Sequence, residues 1–222
     1  MECKELASYF DHTFLKAYAT ENDFIKLCNE AKELSCRMVA INSYPVKFCK
    51  ELLKGTGVHV GAAIGFPLGQ TTVKSKLYEA KNAIIDGADE IDYVINVGEA
   101  KMHNWTYIVE EMKEMTSLCH GNSVIVKAIF ENCYLEKSEI IELSKIAKEV
   151  KPDYIKTSTG FGTGGATIED IKLMKQHVGG IVQVKAAGGI RNLQTCLAMI
   201  DAGATRIGTS SSVEIINELM SK

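Results

Sequence analysis

The chain has 222 residues, 46% of them apolar and 24% charged, with a formal charge of −3. That length suits one core burying about 70–75% of the unfolded chain's surface. The slight acidity, with a pI near 6.0, argues against a nucleic-acid-binding protein, and no apolar run approaches the length of a membrane span.

In chain order, the start MECKELASYFDHT is charged and lacks a signal peptide's apolar core, so a cytoplasmic location is expected. A short, weak strand is expected over 8–13, carrying Asp11 near its end, followed by a helix over 21–35. CRMVAIN (36–42) and HVGAAIGF (59–66) read as β-rich runs, and TVKSKLYEAKNAIIDGA (72–88) as a helix. EIDYVINV (90–97) puts Asp92 among apolar residues, where an unpaired charge is costly, while Asp89 and Glu90 are expected in solvent before the strand proper. SVIVKAIFE (123–131) then carries Lys127 and Glu131, and a helix is expected over 139–150, where Ile140, Ile141, Leu143, Ile146, Ala147 and Val150 fall near helical spacing. DYIKTST (153–159) carries Lys156, IVQVKAA (181–187) carries Lys185, a helix follows over 192–204, and TRIGTSS (205–211) closes the series.

Strands rich in Val and Ile on both faces, alternating with helices and unbroken by any linker, predict a parallel sheet covered by helices. The whole of 1–222 is expected to form a single (β/α)8 TIM barrel, with an open doubly wound sheet as the alternative. Such a barrel carries its chemistry at the C-terminal ends of its strands.

Three lysines stand in similar places there: Lys127, Lys156 and Lys185, 29 residues apart each time. In register on three successive strands, they would crowd. A free lysine has a pKa of about 10.4 and is almost entirely protonated at pH 7. A second ammonium about 5 Å away, at an effective dielectric near 20, repels by roughly 3 kcal/mol, or about 2.4 pKa units. Partial desolvation acts in the same sense. One lysine of such a group becomes a nucleophile able to form a Schiff base with a carbonyl substrate. Asp92 is a candidate partner, through a salt bridge, through catalysis or through both.

Anion capture is the third expected ingredient. STGFGTGGAT (158–167), KAAGGIR (185–191) and RIGTSSS (206–212) each lead toward a helix and offer backbone N–H groups to a phosphate. Gly160, Gly162 and Gly165 also satisfy G-x-G-x-x-G. No Asp or Glu occurs from 171 through 200, so a dinucleotide site lacks its ribose-binding acid. Cys3, Cys28, Cys36, Cys49, Cys119, Cys133 and Cys196 form no C-x-x-C, and the five histidines form no H-x-x-x-H, so neither disulfides nor a metal site is expected.

The segments DHTFLK (11–16), GFPLG (65–69), EIDYVINVG (90–98), VKAIFE (126–131), YIKTSTGFGTGGAT (154–167), VKAAGGIR (184–191) and ATRIGTSS (204–211) closely resemble the deoxyribose-phosphate aldolases, in family order and over nearly the whole chain. The resemblance implies an aldehyde-lyase that cleaves 2-deoxy-D-ribose 5-phosphate reversibly to glyceraldehyde 3-phosphate and acetaldehyde, without metal or organic cofactor. It implies Lys156 as the Schiff-base residue, Lys185 as the neighbour that perturbs it and Asp92 in proton transfer. Lys127 and Asp11 would support them, and Gly160, Gly188, Gly189, Arg191, Gly208, Ser210 and Ser211 would hold the phosphate. It also favours a homodimer, with a small sugar phosphate and neither nucleic acid nor membrane as partner.

The chain departs from the family pattern at Ala40, in place of a cysteine, at Ser43-Tyr44 before Pro45, and at Ser212, where glycine is common. Two other readings share some of these features. A sugar-phosphate isomerase would need the glycine loops but no strand lysine, and a non-catalytic sugar-phosphate sensor could lose the lysine pair.

Overall fold

Residues two apart on a strand share a face, and that alternation sorts the sheet into an apolar outside and a polar inside. Val39 and Ile41, Ile91 and Tyr93, Val126 and Ala128, Ile155, Val184 and Ala186, and Ile207 all join one buried cluster with the helices. The residues between them, Asp92, Lys127, Lys156 and Lys185 among them, turn toward the centre.

The computed structural model describes residues 1–221. Its strands are β1 (Phe10–Thr13), β2 (Met38–Asn42), β3 (His59–Ile64), β4 (Glu90–Val94), β5 (Ile125–Ile129), β6 (Tyr154–Lys156), β7 (Gln183–Ala187) and β8 (Arg206–Thr209). They pair in parallel in sequence order, and β1 also pairs with β8, opposite Ile207, Gly208 and Thr209. The barrel is therefore closed, which removes the open-sheet alternative. The short strand around Phe10 supplies that closure.

Helices alternate with the strands: α1 (Cys3–Ala7), α2 (Glu21–Leu34), α3 (Val46–Leu52), α4 (Val73–Ile85), α5 (Val97–Lys101), α6 (Trp105–Gly121), α7 (Lys137–Val150), α8 (Ile168–Val178), α9 (Leu193–Asp201) and α10 (Ser212–Met220). Polar side chains fix several starts. Thr72, Asn104, Thr167 and Asn192 each accept a backbone N–H three residues on. Among the described residues no helix is long and apolar enough to cross a membrane.

The strands are mostly shorter than the apolar runs that announced them. Past Lys156 one more cross-strand bond forms, from the Thr157 N–H to the Lys185 carbonyl at 3.2 Å, before the Thr159 N–H turns to the Glu131 carboxylate at 3.1 Å. Lys156 is the last residue of β6. Cys36 stays outside β2 because its N–H closes the end of α2 on the Ala31 carbonyl, at 2.9 Å.

One buried ion pair braces the outer layer. Lys76 of α4 reaches Glu111 of α6 at 2.6 Å and the Val94 carbonyl at 2.7 Å, and Glu111 also accepts the Asn96 N–H at 2.9 Å. Burial pushes the Lys76 ammonium down and the Glu111 carboxyl up from their ordinary values, so their mutual contact is what keeps either group tolerable there.

Candidate active site

Lys156 and Lys185 are direct register partners across β6 and β7. Lys127 is out of register with them: its partner on β6 is Tyr154, two residues before Lys156, and its partner on β4 is Asp92. Equal spacing in sequence does not set register, because strands of a closed barrel are staggered. The expectation of three lysines in register is corrected to two, with Lys127 paired to Asp92 and Tyr154.

Asp92 gathers all three. Its Oδ1 accepts from Lys127 at 2.6 Å, and its Oδ2 from Lys185 at 2.6 Å and from Lys156 at 3.0 Å. Burial by itself would raise this carboxyl, but the charges of Lys127, Lys185 and Lys156 hold it well below the usual carboxylate range. Lys185 also forms an ion pair with Asp11.

The lysines differ in access. Lys127 and Lys185 are fully buried, at 0% exposure, whereas Lys156 is 4% exposed and lines a cavity. Burial, and then the neighbouring Lys185 charge, lower the Lys156 pKa to about 8 against the pull of Asp92. Desolvation is the larger cause, so the repulsion expected from the sequence is real but second. Lys127 goes the other way: Asp92 and Glu90 outweigh its burial and hold it above an ordinary lysine.

Glu90 departs from its expectation. It is the first residue of β4, fully buried, and it meets Lys127 at 2.5 Å, Arg206 at 3.1 Å and His59 at 2.7 Å. Arg206, which the sequence reading passed over, joins Glu90 to Asp11. The available signal was period two: Glu90 shares the inward face of β4 with Asp92.

The cavity beside Lys156 has a volume of about 700 Å³. Of the expected phosphate residues, Gly160, Gly188, Gly189, Arg191, Gly208 and Ser210 line it. Ser211 stands behind them as the N-cap of α10. Asp92, Lys127, Lys185 and Asp11 do not line the cavity; the charge cluster lies beneath Lys156.

Two glycine contacts shape this wall. A Cβ on Gly165 would lie 2.3 Å from the Gly188 carbonyl oxygen, and Gly188 itself has φ of +85°, a backbone state that favours glycine. The loops after β6 and β7 therefore touch backbone to backbone, and the Ala166 N–H seals the contact at 3.1 Å to the Ala187 and Gly188 carbonyls. Of the G-x-G-x-x-G run, Gly165 serves that approach, while Gly162 makes room for Cys133 and Glu131. At Gly208 a Cβ would crowd the Lys185 side chain at 3.2 Å.

The near wall was partly missed. Thr13, Leu15 and Lys16 line the cavity from the DHTFLK segment, as do His12 and, from α2, Lys26 and Glu30. His12 is wedged between Glu30, 2.9 Å from Nε2, and Ser212, 3.1 Å from Nδ1. Burial lowers its pKa despite Glu30, so the neutral ring donates through Nε2 and accepts the Ser212 hydroxyl at Nδ1. Ser212, one of the departures from the family pattern, thereby ties the start of α10 to β1. Ala40 is buried on β2, away from the cavity lining.

A lysine that opens from a buried charge cluster into a glycine-walled cavity, at the C-terminal face of a closed (β/α)8 barrel, defines an enzyme of carbonyl chemistry on a charged substrate. Comparison with known proteins makes the class specific. The sequence model of the DeoC/LacD family aldolases matches residues 6–215. The chain is 58% identical over 215 residues to the deoxyribose-phosphate aldolase of Lactobacillus acidophilus, covering 97% of this chain and 91% of that protein. It is 50% identical over 214 residues to the deoxyribose-phosphate aldolase of Thermococcus gammatolerans, covering 96% and 95%. The tetrameric deoxyribose phosphate aldolase of Aeropyrum pernix superposes with a TM-score of 0.91 at 30% identity, over 98% of this chain and 92% of that one. The chain belongs to the DeoC/LacD family of aldolases.

Proposed function

We propose that this chain, as one aldolase domain, cleaves 2-deoxy-D-ribose 5-phosphate reversibly to D-glyceraldehyde 3-phosphate and acetaldehyde through an imine on Lys156. The relatives from Lactobacillus and Thermococcus carry that activity in their names. The observation that carries the residue assignment is access: Lys156, alone of the three lysines, reaches the cavity.

In this reading the neutral Lys156 amine adds to the C1 aldehyde of the open-chain sugar and water leaves. The protonated imine is the electron sink, so neither a metal nor an organic cofactor is required. The C3 hydroxyl gives up its proton, the C2–C3 bond breaks, and the bonding pair enters the enamine. Glyceraldehyde 3-phosphate departs, C2 is protonated, and water releases acetaldehyde from Lys156.

Asp92, through a water, is assigned the proton transfers. In the resting site its oxygens are occupied by three ammonium groups and its basicity is low. Its turn as a base therefore follows formation of the protonated imine, whose nitrogen keeps a positive charge but has a single N–H in place of the ammonium's three. Lys185 stays cationic, and Lys127 and Asp11 hold the cluster in place. The phosphate is assigned to Gly160, Gly188, Gly189, Arg191, Gly208, Ser210 and Ser211, at the loops after β6, β7 and β8 and the start of α10.

A cytoplasmic location fits this substrate. Self-association, expected as a homodimer, has the tetrameric Aeropyrum relative as its support, and sedimentation reads it directly.

Borohydride trapping with deoxyribose 5-phosphate or acetaldehyde, followed by peptide mass mapping, tests the reading. A reduced adduct on Lys156 is expected. An adduct on Lys185 would exchange the lysine roles, and none at all in protein that binds the sugar phosphate would favour the isomerase or sensor.

A further inference from the structure

Behind the lysines, away from the cavity, the barrel interior holds further charge. Arg206, first residue of β8, pairs with Asp11 and with both oxygens of Glu90, at 3.2 and 3.1 Å. Glu90 passes to Lys127 at 2.5 Å, Lys127 to Asp92 at 2.6 Å, and Asp92 to Lys156 at 3.0 Å. On the other side Arg206 reaches Asp92 through Asp11 and Lys185. Neither Glu90 nor Arg206 lines the cavity.

Three anions, Asp11, Glu90 and Asp92, stand against three cations, Lys127, Lys185 and Arg206. The cluster is balanced without Lys156. A proton on Lys156 makes it the fourth cation, in a region where water cannot screen the excess.

We propose that Glu90 and Arg206 are positioning residues that set the protonation state of Lys156 through the charge balance of the barrel interior. The inference rests on the reading of Lys156 as the imine-forming residue. Arginine is permanently charged, and Lys127, His59 and Arg206 keep Glu90 ionised against its burial. Each is thus a fixed charge of opposite sign acting on Lys156 from the same cluster. Among other groups facing the cluster, the Tyr154 ring lies under Lys127 and Arg206, at 6.0 and 5.5 Å from its centroid, and the rest are engaged by other partners. Glu131 is held by Thr159, His12 by Glu30 and Ser212, and His59, 29% exposed, by Glu90. Through one intervening ion pair and at an effective dielectric of about 20, a unit charge is worth on the order of one pH unit at Lys156.

The test is the pH dependence of cyanoborohydride trapping of acetaldehyde on Lys156. Removing the cation, Arg206→Gln, should move the half-point up by about one unit, and removing the anion, Glu90→Gln, should move it down by about one. The double variant should return close to wild type, and Arg206→Lys and Glu90→Asp should stay there. A merely structural role predicts losses of yield in every variant, without opposite shifts. Folded single variants with unmoved half-points, or with shifts of the same sign, would overturn the inference. If neither single variant folds, a half-point displaced in the double variant or in the charge-conserving ones would do so. Wild-type protein that traps at another residue, or not at all, would instead sink the Lys156 assignment.

Discussion

Lys156 and Lys185 face each other in register on β6 and β7, and both donate to the same oxygen of Asp92, at 3.0 and 2.6 Å. The shared acceptor brings two ammonium groups closer than their repulsion would otherwise permit. Only one of them has a way out to the cavity. Position in the barrel thus gives two chemically identical side chains different access, and Lys156, the one that reaches the cavity, is the proposed nucleophile.

Lys185→Leu removes the ammonium group that shares Asp92 with Lys156. The remaining anions then favour a proton on Lys156, so its pKa should rise from about 8 toward the ordinary lysine value. With a pKa near 8, about one Lys156 in ten is neutral at pH 7, and each unit of increase removes about tenfold of that fraction. Activity at pH 7 should fall by at least tenfold, with the acid limb of the pH–rate profile displaced to higher pH. The sign is fixed: wild-type rate climbs as pH rises toward 8, and the variant climbs later. A rate profile that keeps its wild-type half-point would remove Lys185 from this role.

Arg191 lies exposed at the cavity wall, beside Gly188 and Gly189. Arg191→Ala should raise KM for deoxyribose 5-phosphate by about tenfold or more, the scale of a lost charged hydrogen bond. Cleavage of unphosphorylated deoxyribose should change little. Steady-state kinetics on both substrates decide it; equal losses would take Arg191 out of the phosphate site.

Lys76→Met tests the brace between α4 and α6 and leaves the chemistry untouched. It strands a buried Glu111 and should cost about 3–5 kcal/mol in denaturant unfolding. Replacing both partners, as Lys76→Met with Glu111→Leu, should recover much of that loss, less the bond to the Asn96 N–H. If the single and double variants unfold alike, the pair is not acting as a pair.

Much of this molecule was legible locally. Val and Ile runs alternating with amphipathic stretches required helices against a parallel sheet. Glycine clusters after Lys156 and Lys185 marked tight loops, which here line the cavity. A lysine at the end of a strand marked the proposed nucleophile, because those signals depend on neighbours within a few residues. Tertiary structure alone decided the rest. Closure needed β1 to meet β8 across the length of the chain. Stagger paired Lys127 with Tyr154 and not with Lys156, although equal spacing suggested one register. Burial of Glu90 followed from Arg206, more than a hundred positions away, arriving to pair with it. Sequence fixes what a side chain can do and which face of its strand it takes. Depth in the barrel, and with it which charge goes unbalanced, depends on registers set by pairing over long range, which no local pattern encodes.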